Sequence, residues 1–147
     1  MQLQRKGVQL IDKTNNVNIG DLSDLKTLIS IFKGQFEYFN STIRKYNEIN
    51  EGNYDSSSLT LKKILYNTFS KKAPDAIIDT STSEKNIDGL IFDKFQLSLT
   101  LGEKKIFTIV VLSKLYKGLD FGITYLFMSE ATKVEIENML HHSKFKK

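Results

Sequence analysis

The sequence predicts an α+β fold, an antiparallel β-sheet covered by helices. Three observations predict it. Short apolar stretches fill the second half of the chain: Ala76–Thr80, Leu90–Leu101, Ile106–Ser113 and Leu119–Phe127. Within the second of them Phe95, Leu97, Leu99 and Leu101 alternate with Lys94, Gln96, Ser98 and Thr100, the pattern of a strand with one buried and one wet face. Helical three-four spacing precedes these stretches and returns after them.

At the start, Val8 and Leu10, then Val17 and Ile19 across Thr14-Asn15-Asn16, alternate as a half-buried hairpin does. Gly20-Asp21 ends that pattern. From Leu22 the spacing becomes helical: Leu25, Ile29, Phe32, Phe36, Phe39, Ile43 and Tyr46 fall on one stripe. Asp21 or Ser23 is placed to cap it, and Gly34 marks a break or kink. The expectation is a long core-facing helix or helix pair. A coiled-coil seam is the other reading, but phenylalanines and a glycine on the stripe suit packing on a sheet better.

Asn50–Ser58 is a polar loop. A second helix follows, with Leu61, Ile64, Leu65, Thr68 and Phe69 on one face, Ser57 or Ser58 as cap, and Ala73-Pro74 as its end. The strand Ala76–Thr80, the polar loop Ser81–Asn86 and the tight turn Ile87-Asp88-Gly89-Leu90 lead into the alternating strand. Gly102–Lys105 turns the chain into Ile106–Leu112, apolar on both faces and so central and covered. Lys117-Gly118 turns it again into Leu119–Phe127. Consecutive strands with short turns form a meander. Thr132-Lys133-Val134-Glu135 reads as a capping box for a last helix with Ile136, Met139 and Leu140 inward, after which Phe145 folds back onto the sheet.

The chain of 147 residues is expected to be a single domain, residues 1–147: a hairpin and long helical segment over 1–50, then a helix-plus-meander core over 57–147. It has no cysteine, so neither a disulfide nor a thiolate metal site is available. The net charge of +4 comes from scattered lysines, with Arg5 and Arg44 the only arginines; this argues against nucleic-acid recognition, which favours the guanidinium fork. No stretch approaches the roughly 20 apolar residues of a membrane span. Met1–Lys6 lacks the apolar core of a secretory signal, so the chain as written is expected in the cytoplasm, or in the cell envelope if a leader has been removed.

Residues 57–147 together resemble the PsbP-like family, which includes the PsbP photosystem subunit and the bacterial DcrB group. The resemblance rests on the order of the helix Leu59–Phe69, the Pro-containing exit and short strand Ala73–Thr80, the Ile87-Asp88-Gly89-Leu90 turn, the meander, and a helix running into Ser143-Lys144-Phe145. The first 56 residues depart from the family pattern, which opens with strands. The resemblance implies an α/β/α sandwich around an antiparallel sheet and a non-enzymatic, protein-binding or accessory role. It supplies no catalytic residues.

The residues themselves offer no chemistry. His141 and His142 are neighbours on a helix, about 100° apart, and cannot clasp one metal as an i, i+4 pair does. The backbone dipole at a helix C-terminus is sufficient reason for them. Asp75, Asp79, Asp88, Asp93 and Asp120 fall at turns and strand ends, where Asp bonds locally. Ser56–Ser58 is a loop and cap run without a nucleophile elbow, and Gly118 and Gly122 are turn and packing glycines. Most aromatics alternate into the core, leaving Tyr38 and Tyr116 at the surface, too few for a base-stacking platform.

No catalytic, cofactor-binding or metal-ligating residue is therefore assigned, and no cofactor is expected. The expectation is a non-catalytic bacterial binding or accessory protein, monomer or weak homodimer, acting through a protein partner as an adaptor or immunity protein does. The polar sheet face Lys94, Gln96, Ser98, Thr100 is a natural docking surface. The alternative is a small-ligand or lipid-binding domain using a groove between helix and sheet. A hydrolase ranks third and nucleic-acid binding fourth.

Overall fold

Strand β1 (Lys26–Gly34) and strand β2 (Glu37–Lys45) come first, then the single-turn helix α1 (Glu48–Glu51) and helix α2 (Tyr54–Lys72). Strands β3 (Ile77–Ile87), β4 (Leu90–Leu101), β5 (Lys104–Tyr116) and β6 (Leu119–Phe127) follow, and helix α3 (Glu130–His141) closes the series. The structure, a computed structural model, describes residues 25–34 and 37–144. The hairpin expected over Val8–Ile19, the caps expected at Asp21 or Ser23, and the docking expected of Phe145 lie outside the described residues.

The six strands form one antiparallel sheet in the order β1-β2-β6-β5-β4-β3. β3 to β6 are a meander on two-residue turns. Asp88-Gly89 (φ 49° and 83°) and Lys117-Gly118 (φ 51° and 77°) put two consecutive residues in the left-handed region, as a type I′ turn requires. Gly102 (φ 66°) alone does so in the turn before β5. The apolar stretch at Ile106–Leu112 is the core of β5, flanked by β6 and β4 as its two-sided pattern predicts.

Helices cover both faces, which makes an α/β/α sandwich. On one face Ile136 and Leu140 of α3 pack on Phe39, Val110, Leu112, Ile123, Tyr125 and Phe127. On the other, Leu65 of α2, with Leu61 and Phe69, packs on Phe95, Leu97, Leu99, Phe107, Ile109 and Leu126. Phe69 meets Phe107 edge to face at 5.4 Å.

Five expectations are corrected. The stripe read as a long helix is, over the described residues, the paired strands β1 and β2. The segment is rich in β-branched and aromatic residues, which favour strands. Ile29 pairs with Ser41 and Phe32 with Tyr38 in an unbroken register, so stripe residues three apart fall on opposite faces of the sheet and the helical spacing marks no single side. Second, Ser81–Asn86 is no loop: β3 pairs with β4 from Ile77 to Ile87, its polar side chains suiting a sheet edge. Third, α2 begins five residues earlier than read, because Asn53, not Ser57 or Ser58, is its cap and accepts from the Asp55 and Ser56 amides. Fourth, α3 is capped by Ser129, whose Oγ accepts from the Thr132 amide, so Thr132 lies inside the helix. Leu101, placed in the core by alternation, is 50% exposed beside its turn.

Candidate functional site

Register determines the site. On the α2 face, pairing aligns residues in rows that cross the sheet. One row is Asn40, Thr124, Val111 and Phe95; the next is Thr42, Gly122, Ser113 and Asp93; the next is Arg44, Asp120 and Leu115. Along the strands the face therefore grades from apolar, through hydroxyls and a bare glycine, to charge. Helix α2 rests on the apolar end through Leu61 and Leu65. Over the small residues it leaves a cleft of about 380 Å³, floored by Thr42, Ser113, Gly122 and Thr124. A methyl group on Gly122 would stand 3.3 Å from Thr42 Oγ1, so the cleft is deep there because the residue is glycine.

The charged end is a closed network. Arg44, 9% exposed, gives a 2.7 Å ion pair from one terminal nitrogen to Glu51 Oε1 and approaches Asp120 Oδ2 with Nε at 3.4 Å. Asn47 N–H donates to the second Glu51 oxygen at 3.0 Å, and Tyr54 Oη–H donates to Asp120 Oδ1 at 2.8 Å. Tyr46 and Tyr54 meet edge to face at 5.1 Å, with the Arg44 guanidinium 5.5 Å from the Tyr46 ring centre. Tyr46 Oη–H donates to the Gly52 carbonyl at 2.8 Å, and Ser57 Oγ–H to the Glu51 carbonyl at 3.0 Å. These bonds fix α1 and the first turns of α2 over the ends of β2 and β6.

Burial pushes the Asp120 carboxyl up, against the lowering by the Tyr54 hydrogen bond and by Arg44; the Glu51 charge adds to the rise. Burial, then the Asp120 charge, pushes the Tyr54 phenol well up. Two carboxylates share one guanidinium here, so this end carries a formal charge of about −1 with limited access to water. At the other end Lys62 holds its ammonium 5.9 Å from the Phe95 ring centre.

The residues weighed in the sequence disperse. His141 and His142 stack edge to face at 5.2 Å on the exposed end of α3, and the His142 ring bonds the Asn138 carbonyl through Nδ1 at 2.8 Å. Asp75 and Asp79 are exposed, and Asp88 sits in its turn 3.6 Å from Lys144 Nζ. Among the described residues no group of three His, Cys, Asp or Glu side chains is placed to hold a metal, and no helix is long and apolar enough to cross a membrane. Asp120, read as a turn residue, belongs instead to the Arg44 network. Gly122 is no turn glycine, since it floors the cleft from mid-strand. Ser56–Ser58, read as loop and cap, line the cleft from the first turns of α2. Tyr38 is half-buried against the α2-face core, stacked on Phe32 at 5.6 Å.

Sequence reasoning missed Arg44, Tyr46, Glu51 and Tyr54. One signal was available: Arg44 is one of two arginines in a lysine-rich chain, and in a strand it shares a face with Asn40 and Thr42.

No family model and no curated protein matches the chain. Among solved structures it is similar to the solution structure of cyanobacterial PsbP (CyanoP) from Synechocystis sp. PCC 6803, with a TM-score of 0.46 and 8% identity, over 84% of this chain and 91% of that one. The likeness is one of fold, and no function passes with it.

Proposed function

We propose that the chain is a non-catalytic binding protein whose ligand is a small molecule held between α2 and the sheet. The observation that carries this reading is the cleft of about 380 Å³, within the size range of ligand pockets, with an apolar end and convergent polar groups. The residues that open it are small where packing would favour large ones. Polar side chains around it are held by hydrogen bonds to one another, so the site is largely preformed. The groups present are acceptors, donors and one ion-pair network, without a nucleophile–base pair. Amide chemical shifts of the chain titrated with a fragment library test the reading. Shifts gathered at Thr42, Ser113, Gly122 and Tyr54 are expected, and shifts gathered elsewhere, or none at all, refute it.

A second reading, a protein partner of the adaptor or immunity kind, is favoured by a different observation. The edge strand β1 exposes Leu28, Ile29, Ile31 and Phe32, each 44–50% accessible. Apolar rows on sheet edges serve strand addition by extended segments. Affinity capture with the natural chain and with Ile31→Asp tests it: a stoichiometric partner lost on substitution supports it, and a partner retained refutes this surface.

A further inference from the structure

The cleft is not evenly polar, and its unevenness speaks to the ligand. Its floor runs from Phe95 and Val111, beside Leu61 and Leu65, across the Thr42-Gly122-Ser113 row to Asp120. An occupant that matched this wall would have an apolar body and a polar head. The sign of the head follows from the network. Arg44 is already divided between Glu51 and Asp120, so it has no full charge left for an anion. Asp120 Oδ2 meets Arg44 Nε at 3.4 Å, a weak use of a carboxylate oxygen. This end of the cleft thus calls for a donor and positive charge, and the Tyr46 and Tyr54 rings line the same end.

We propose that the ligand is an amphipathic amine, its apolar body lying on Leu61, Leu65, Phe95 and Val111 and its ammonium group at the Asp120 carboxylate. This rests on the small-ligand reading above and names the class of molecule. The ammonium adds the second positive charge that two carboxylates require, and it donates to Asp120 Oδ2. Lys62 marks the rival possibility. It lies about 12 Å along α2 from Tyr54, eight residues at 1.5 Å each, at the apolar end where a fatty acid would direct its carboxylate.

The test is calorimetric titration of the natural chain at pH 7 with n-octylamine, 1-octanol and octanoate, with amide shifts locating each. The amine is expected to bind at least tenfold more tightly than the other two, with shifts at Ser113 and Gly122. Asp120→Asn is expected to erase that preference while leaving octanol binding in place. Octanol or octanoate binding in the cleft as tightly as the amine overturns the proposal but leaves the small-ligand reading standing. No binding by any of the three, or shifts away from the cleft, overturns both.

Discussion

The two faces of the sheet are made from the same strands, yet one is filled and the other is open. On the α3 face, rows such as Phe39-Tyr125-Val110 and Ile123-Leu112 stack large side chains directly under Ile136 and Leu140. Phe39, Tyr125 and Phe127 stack in series with centroids 6.5 and 6.2 Å apart. On the α2 face the equivalent central rows hold Thr42, Gly122 and Ser113, and the helix above bridges a gap. Both helices are seated by apolar residues of similar kind. What differs is the size of the residues that register gathers under each helix. A sheet can thus hold its core on one side and its site on the other without any change of backbone.

Adjacent residues on β5 give the strongest way to break this comparison. Leu112 is fully buried on the filled face, and Leu112→Ala is expected to cost about 2–5 kcal/mol in urea unfolding. Ser113 points into the cleft, and Ser113→Ala is expected to stay within about 1 kcal/mol. Similar losses at both positions would mean the two faces are packed alike.

Removing the cation from the charged end comes next. Arg44→Gln leaves Glu51 and Asp120 facing one another with little water, and a loss of about 3 kcal/mol is expected. Adding Asp120→Asn to that variant should restore part of it, a coupling measured by a double-mutant cycle.

Asp120 also predicts a pH dependence. Its carboxyl is held above the ordinary 3.8, so the folded chain keeps the proton longer than the unfolded chain does. Stability from this group therefore falls as pH rises from about 3.8 through the raised value, then levels off. Asp120→Asn should remove that fall, so the stability of the variant relative to the natural chain should rise over this window. A relative stability independent of pH would show that Asp120 is not desolvated.

Two smaller effects sharpen the contrast. Gly122→Ala should change stability by no more than about 1 kcal/mol, because the Thr42 hydroxyl it crowds can rotate, yet weaken binding in the cleft. The ion pair between Lys33 on β1 and Glu135 on α3 is exposed at both ends, so Lys33→Ala should cost about 0–1 kcal/mol, less in high salt.

Much of this was legible in the residues, and the failures have physical causes. The meander was readable because its turns are local: Asp88-Gly89 and Lys117-Gly118 specify type I′ geometry by themselves. β2 was not readable. Its strand state depends on pairing Tyr38–Lys45 with Leu119–Leu126, some 80 residues away. β3 hid for a related reason, since a polar edge strand is held by its neighbour's backbone and not by an apolar pattern of its own. The cleft was anticipated only as a groove between helix and sheet. Arg44, Glu51, Tyr54 and Asp120 come from four different elements and have no spacing in common.

By itself the sequence determined the turns, the inward Phe95, Leu97 and Leu99 of β4, the two-sided burial of β5 and the apolar stripe of α2, because each depends on neighbours within a few residues. The tertiary structure alone decided that the first described segment is sheet, that small residues coincide under α2, and that two carboxylates share one arginine. Those outcomes depend on register between distant strands, and a shift of one residue would move every one of these side chains to the opposite face.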